Sequence, residues 1–194
     1  MGLISTYAMN MLGYMIVALP LYVLVRIILL KRRKKRVNKL REFLLATFIL
    51  YCIGLASQTI IPKWSIGVDS LTGELYFDIM VANELASVNV TPFQTMLLYL
   101  HSNSNTDNWG SLSIMNLLGN MFMFSPIGLF IPILWRKFAS LWKIAWVGLG
   151  VTFFIEGVQF FIGRSSDIDD IILNAIGVMF GYFVFKVMKK IVRR

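Results

Sequence analysis

Polar side chains that could bind a ligand or move a proton lie inside apolar stretches of this sequence. Asn116 and Asn120 are one helical turn apart in the apolar stretch 111–130, and Glu156 and Gln159 lie in a later apolar stretch. An amide or carboxylate in hydrocarbon is costly without a partner, so these groups must face protein or a water-filled cavity. Glu156 is the strongest candidate, because an ionisable residue inside a membrane span is a functional hypothesis by default.

A second set of polar residues leads into the last apolar stretch. Asp167, Asp170, Asn174, Gly177 and Gly181 recur at spacings of 3, 4, 3 and 4, which places them on one face of a helix. Ser166 and the acids Asp167, Asp169 and Asp170 could cap this helix and interact with its dipole, but capping explains one or two of the three acids rather than all. The glycines form a small-x-x-x-small pattern, which lets two helices approach closely. This face is therefore predicted to bind polar groups at one end and to pack tightly at the other.

The composition indicates an integral membrane protein with one compact bundle. Of its 194 residues, 57% are hydrophobic and 15% are charged, and the mean hydropathy is +0.70. Globular domains average about a quarter charged residues. Cys52 is the single cysteine, so an intrachain disulfide or a cysteine metal cluster is excluded, and the single histidine, His101, lies in a polar loop. We expect neither a metal nor a cofactor.

Hydropathy predicts an all-α, polytopic bundle of about five membrane spans. They cover residues 7–30, 43–61, 112–134, 144–162 and 170 or 171–188. Apart from Arg26, Lys63 and Arg164, the 19 Lys and Arg residues lie in clusters at the ends of the first, third and fifth spans. The positive-inside rule therefore places the N-terminus outside and the C-terminus inside, in a multi-pass protein of the cell membrane. Charge clustered in this way indicates topology rather than nucleic-acid binding.

The predicted topology divides the chain into an anchor helix with a basic connection, a membrane domain and a basic tail, at residues 1–42, 43–188 and 189–194. A long outer loop, 62–111, joins the second and third spans. Within this loop, the β-prone segment 68–81 has a Thr72-Gly73 turn that predicts a hairpin. The segment 90–100 is too short to span a bilayer and is predicted to be interfacial or re-entrant.

The polar groups are predicted to share the outer half of the membrane. Glu156 lies six residues before the outer end of the fourth span, about 9 Å at 1.5 Å per residue, and the other spans carry their polar groups near their outer starts. We expect Glu156 to pair with Arg164, Gln159 or an Asn of the third span. The asparagines could equally bond to neighbouring helices, and Arg164 could pair with the acids or contact a phosphate. The predicted ligand-binding residues are Asn116, Asn120, Glu156, Gln159, Arg164, Asp167, Asp170 and Asn174.

An ordered set of motifs resembles the VanZ-like family of bacterial membrane proteins. The set comprises Thr91-Pro92-Phe93, Asn116-Leu117-x-Gly119-Asn120, Phe124-x-Pro126-x-Gly128, Glu156-x-x-Gln159 and Arg164-x-x-Asp167-x-x-Asp170-x-x-x-Asn174-x-x-Gly177. Their order and spacing cover roughly residues 43–188, whereas the basic first connection and the polar loop 101–108 are particular to this chain. The resemblance implies a cell-membrane protein associated with low-level resistance to teicoplanin and related glycopeptides. It implies a phenotype and no particular reaction.

Three functions are compatible with these residues. The first is a non-enzymatic resistance protein whose outer polar pocket binds an envelope lipid, a lipid-linked cell-wall precursor or the membrane-seeking part of the antibiotic. The second is a membrane-embedded enzyme in which Asp167, Asp170 and Glu156 hold Mg²⁺ and Arg164 binds a lipid phosphate, although no hydrolase or transferase motif supports it. The third is a small transporter or flippase with Glu156 as a proton relay, which the lack of internal repeats disfavours. We favour the first, with membrane lipids as partners and no nucleic acid, and we predict no oligomeric state.

Overall fold

The computed structural model of this chain contains the five predicted helices. It describes residues 3–32, 38–69, 72–80, 88–94, 97, 109–164 and 166–192. The helices are α1 (Leu3–Arg32), α2 (Lys39–Thr59), α3 (Trp109–Leu134), α4 (Leu141–Phe161) and α5 (Ile168–Val192), with a short 3₁₀ helix, Arg136–Phe138, between α3 and α4. The predicted all-α bundle is confirmed, and each helix begins and ends within a few residues of its predicted bounds.

Most of these helices have the length and composition of a membrane span. Four of them contain a sufficiently long apolar window: Tyr7–Arg32, Lys39–Thr59, Leu141–Phe161 and Ile168–Ile191. In α3 the corresponding apolar segment is Leu118–Leu134, which belongs to a helix of 26 residues. These findings support a membrane protein. The direction of insertion and the division into three regions stay predictions.

Contacts between α3, α4 and α5 establish their relative directions. Along α3 and α5, Met121 lies against Gly177 and Ser125 lies against Gly181, so the two helices run parallel. By contrast, α4 runs antiparallel to α5, because Glu156, later in α4, contacts Asp167 just before α5, whereas Gly148, earlier in α4, lies against Val178 further along α5. The C-terminal end of α4 therefore lies beside the N-terminal ends of α3 and α5. This arrangement brings the predicted polar residues of the three helices to the same end of the bundle.

Three glycines bring the backbones of α3 and α5 into direct contact. A Cβ atom added at Gly181 would lie 1.7 Å from the carbonyl oxygen of Ser125, and one added at Gly177 would lie 2.3 Å from that of Met121. From the α3 side, a Cβ at Gly128 would lie 1.8 Å from the carbonyl oxygen of Val178. The predicted close packing is thus confirmed. We call Gly128, Gly177 and Gly181 the glycine seam.

Aromatic packing holds α2 against α3. The ring of Phe48 stacks on that of Phe130, with centroids 5.7 Å apart, and meets the edge of Trp135 at 6.1 Å. The hydroxyl of Tyr51 donates a hydrogen bond to the carbonyl oxygen of Met123.

The first helix packs on α2. Gly54 of α2 admits the side chains of Met11 and Met15, which a Cβ would meet at 3.3 and 3.2 Å. Nearer the basic connection, Arg26 donates to both carboxylate oxygens of Glu42, at 2.5 and 2.7 Å. A bidentate pair of this kind offsets the cost of placing both charges at the edge of an apolar helix pair. The remaining faces of α1 are largely exposed, as expected for a helix in lipid.

The loop between α2 and α3, which is the predicted outer loop, contains the predicted hairpin, with its first strand earlier than expected. Strands β1 (Lys63–Val68) and β2 (Leu75–Met80) pair antiparallel, and Gly73 in the turn has φ of +72°. The prediction placed both strands within 68–81. The first strand begins at Lys63 instead because Trp64, Ile66 and Val68 alternate with smaller or polar residues, which is the pattern of a strand.

A second pairing joins the outer loop to the helix bundle. Strand β3 (Val88–Asn89) pairs in parallel with β4 (Ser166–Asp167), which directly precedes α5. This pairing connects positions that are 78 residues apart in sequence, as in Asn89 and Asp167. Residues 95, 96 and 98–100 of the predicted interfacial segment 90–100, and His101, lie outside the described residues.

Candidate functional site

Side chains from α3, α4 and α5 meet where the three helix ends come together. The Nδ2 atom of Asn120 on α3 donates to Oδ1 of Asp170 on α5 at 3.0 Å. Glu156 on α4 reaches the same end of α5, where it accepts the backbone N–H of Asp167, three residues before Asp170. The three helices therefore meet through polar side chains, as predicted. We call Asn120, Glu156, Asp170 and Asn174 the polar cluster.

Glu156 is buried within this end of the bundle and binds the connection between α4 and α5. Its side chain is 3% exposed, and its Oε2 accepts a hydrogen bond from the backbone N–H of Asp167 at 3.1 Å. The expected partners, Arg164 and Gln159, make other contacts, so this part of the prediction is wrong. The physical reason is that the connection turns at Gly163, where φ is +76°, and lays the strand at Asp167 over the carboxylate.

Arg164 and Gln159 bind the C-terminal end of α2. The Nη1 atom of Arg164 donates to the carbonyl oxygens of Gln58 at 3.1 Å and Thr59 at 2.9 Å, and Nε2 of Gln159 donates to that of Thr59 at 3.0 Å. The last carbonyls of a helix lack intrahelical donors and carry partial negative charge, so cationic and amide donors are suitable partners. These contacts join α2 to α4. A ligand role for either residue stays a prediction.

The acids at the start of α5 bind backbone and side-chain donors of the outer loop. Asp169 is 1% exposed, and its Oδ1 accepts the backbone N–H of Phe93 at 2.6 Å. Asp167 accepts the N–H of Asp169 at 2.9 Å, which is a helix-capping bond, and it also contacts Nδ2 of Asn89 at 3.4 and 3.5 Å. Phe93 has φ of +65°, so the loop makes an unusual turn where Asp169 binds it. We call residues 88–94 the strap.

The strap was not predicted as part of the site, and Asp169 was considered as a helix cap alone. Two sequence signals pointed to them separately: the Thr91-Pro92-Phe93 motif and an acidic run longer than capping requires. Neither signal predicts that the acidic run binds the segment that contains the Thr91-Pro92-Phe93 motif. The contact could be found only by knowing that strand β3 pairs with β4.

Two further predicted residues lie on α5 and α3. Asn174 is 4% exposed, and its Oδ1 has no hydrogen-bond donor among the residues that the structure describes. It is one turn beyond Asp170 on the same helix face. Asn116 lies in α3, and its side chain is outside the described part of the structure.

The geometry of the acids does not form the ligand set that the Mg²⁺ hypothesis requires. Within the described ranges, no three His, Cys, Asp or Glu side chains are grouped so that they could hold a metal ion. Two cavities are found elsewhere. One of 440 Å³ lies beside Tyr182 and Lys186, and one of 260 Å³ lies between α1 and α2 beside Arg26. The polar cluster lines neither of them.

Comparison with known proteins gives one match. A family model described as VanZ/LLP1 matches residues 48–189. No curated protein and no solved structure matches the chain. The matched segment contains all eight predicted ligand-binding residues and the strap, and it leaves out α1 and the basic connection.

Proposed function

The chain belongs to the VanZ/LLP1 family, and from this membership we propose that it contributes to resistance against teicoplanin and related lipoglycopeptide antibiotics. It acts as a multi-pass protein of the cell membrane. The polar end of α3, α4 and α5 binds an envelope lipid, a lipid-linked cell-wall precursor or the membrane-seeking part of the antibiotic. Binding there lowers the amount of antibiotic that reaches its target at the membrane surface. The role is one of binding rather than catalysis.

The observation that supports this proposal is the burial of a carboxylate between apolar helices. Glu156 is 3% exposed and lies near a second carboxylate, that of Asp170, rather than beside a cation. Removing a charge from water costs several kcal/mol unless it is well paired, and a simple helix contact does not require a charge at this position. A functional role therefore explains why residue 156 is acidic, whereas helix packing alone does not.

The backbone contacts of the strap indicate how a ligand reaches the polar cluster. The strap lies beside the start of α5, next to the cluster, where Asp167 contacts Asn89 and Asp169 accepts the N–H of Phe93. The described strap residues from Val90 to Gln94 are exposed. A headgroup that arrives from the loop side therefore meets the strap first, and polar contacts of this kind can be exchanged for contacts with a ligand.

Antibiotic susceptibility tests the proposal. The full chain is expressed in a susceptible bacterial host, and the minimal inhibitory concentration of teicoplanin is measured at matched membrane abundance. We expect Glu156→Gln and Asp170→Asn to return susceptibility to the level of the empty vector. Glu74→Gln, which removes an exposed acid in the hairpin, serves as the control and should keep full resistance. Undiminished resistance in both cluster variants would remove the polar cluster from the mechanism.

A second measurement separates the possible ligands. Purified protein is titrated with teicoplanin, with the same glycopeptide lacking its acyl chain, and with a lipid-linked cell-wall precursor in detergent. Binding that requires the acyl chain identifies the antibiotic as the ligand, whereas binding of the precursor alone identifies the envelope component. Each signal should disappear in Asp170→Asn and persist in Glu74→Gln. Binding that is equal in all three proteins would place the ligand elsewhere on the molecule.

A further inference from the structure

The side-chain carbonyl of Asn174 is a buried acceptor without a donor. Asn174 is 4% exposed, and none of the described residues donates a hydrogen bond to its Oδ1. Buried polar atoms in folded proteins are nearly always paired, and one that is not calls for an explanation such as a bound water or ion. An apolar side chain of similar size, such as Leu, would have filled the same space without this cost. The position of Asn174 therefore indicates a ligand.

Helix geometry places this carbonyl on the face of α5 that carries Asp170. Asn174 is four residues after Asp170, so both side chains lie on one face of α5. Because Cα–Cβ bonds in a helix tilt toward its N-terminus, the side chain of Asn174 leans toward the turn that carries Asp170. On the facing helix, Gly148 lies opposite Val178 and Glu156 contacts Asp167, so the level of Asn174 falls between these two contacts.

The charges of the cluster do not balance within the described part of the chain. Besides Glu156 and Asp170, the carboxylates of Asp167 and Asp169 act on Asp170, and the described cation that acts on it is Arg164. The Nη1 atom of Arg164 is at the same time bound to the carbonyl oxygens at the end of α2. The carboxylates at this end of the bundle therefore outnumber the described guanidinium. In an apolar surrounding an uncompensated carboxylate takes up a proton or binds a counter-charge.

We propose that a small monovalent cation binds in the polar cluster, coordinated by Oδ1 of Asn174 and by the carboxylates of Glu156 and Asp170. Carboxylate and amide oxygens are the ligands that hard cations prefer. A monovalent ion fits because a divalent ion would call for the group of three acids that the described residues do not form. A small ion fits because the cluster lines neither of the two cavities described above.

The bound cation would connect α3, α4 and α5 at their polar ends. Asn120 already links α3 to Asp170, so a cation on Asp170 would join the network that reaches all three helices. This role requires no antibiotic, lipid or precursor. The inference can therefore hold or fail independently of the resistance function.

Thermal unfolding of the purified full chain tests the proposal. Tryptophan fluorescence reports the midpoint in NaCl, KCl, NH₄Cl and choline chloride at equal ionic strength. We expect a saturating rise of about 3 to 6 °C when Na⁺, K⁺ or NH₄⁺ exceeds its dissociation constant about tenfold, and no such rise with choline, which is too large for the site. A preference for Na⁺ or K⁺ identifies a coordinated metal ion, and a preference for NH₄⁺ identifies an ammonium group as the natural ligand. An equal response to all four salts would overturn the proposal.

Variants of Asn174 assign the effect to this site. Asn174→Leu removes the carbonyl oxygen at similar volume, so the cation-dependent rise should be lost even if the midpoint in choline is unchanged. Asn174→Asp keeps an oxygen at this position and should retain the rise. The control is Glu74→Gln, which removes an acid far from the cluster and should behave as the original chain. A full cation response in Asn174→Leu, or its loss in Glu74→Gln, would contradict the assignment.

Discussion

The two ends of the α3–α5 contact are held together by different kinds of interaction. At the glycine seam, backbone lies directly on backbone, and an added Cβ at Gly181 would come within 1.7 Å of a carbonyl oxygen. At the polar cluster, the same two helices are joined by a side-chain hydrogen bond from Asn120 to Asp170 at 3.0 Å. The seam has no space for a single additional carbon atom, whereas the cluster contains groups that can exchange one polar partner for another.

This difference separates the part of the protein that maintains the fold from the part that is available for chemistry. Close packing is sensitive to volume and insensitive to charge, because its energy comes from many short contacts. A buried polar cluster is sensitive to charge and to the number of hydrogen bonds. Variants at the seam should therefore change stability, and variants at the cluster should change binding. The predictions below follow from this comparison.

The largest effect on stability is expected at the seam. Gly181→Ala places a Cβ on the carbonyl oxygen of Ser125, and the helices must separate to accept it. We expect a loss of about 3 kcal/mol in the free energy of unfolding and a lower membrane abundance. Gly150→Ala on α4 is the matched control, because no atom lies within 4 Å of its added Cβ. Chemical unfolding in detergent gives both values, and similar values for the two variants would contradict the close contact.

The next largest effect is expected where the strap joins α5. Asp169→Ala removes the acceptor of the Phe93 N–H and leaves that donor unpaired at a site where Asp169 is 1% exposed. We expect a cost of about 1 to 3 kcal/mol and faster amide hydrogen exchange across residues 88–94. Asp169→Asn keeps an acceptor oxygen and should retain most of the protection. Unchanged exchange in Asp169→Ala would show that the strap is held by other contacts.

A smaller effect is expected at the end of α2. Gln159→Leu removes the donor to the carbonyl oxygen of Thr59, although Arg164 still donates to that oxygen at 2.9 Å. Because the two donors share an acceptor, each single variant should cost about 1 kcal/mol, and the double variant with Arg164→Met should cost more than their sum. A double-mutant cycle of unfolding free energies measures this coupling. Strict additivity would indicate that the two side chains act on α2 independently.

Much of the fold could be predicted because it follows from local periodicity. The five helices were located from apolar length, and the seam was located from the spacing of Gly177 and Gly181. The depth of each polar residue followed from the direction of its helix, which is why the contact of Asn120 with Asp170 agrees with the prediction. Periodicity predicts which residues share a helix face, and the length and direction of each helix predict which residues lie at the same depth.

The hydrogen-bond partners of residues that lie at the same depth could not be predicted in the same way. Glu156 was expected to bind Arg164, Gln159 or an asparagine of the third span and instead accepts the backbone N–H of Asp167, because the turn at Gly163 determines which segment covers it. Asn89 and Phe93 reach the acids of α5 through a strand pairing between distant segments, for which the sequence contains no periodic signal. Long-range pairings depend on the assembled bundle, so the strap became part of the site only in the structure.

The smallest effect on stability, and the clearest separation of the two regions, is expected for Glu156→Gln. The amide oxygen of Gln can still accept the N–H of Asp167, which Glu156 accepts at 3.1 Å, so the loss of charge should change the unfolding free energy in choline chloride by less than about 1 kcal/mol. Glu156→Leu fills the same space but leaves that N–H without an acceptor, and should cost about 1 to 3 kcal/mol. If Glu156→Gln instead destabilised the protein as much as Glu156→Leu, the charge itself would hold the bundle together, and the division between a structural seam and a chemical cluster would no longer apply.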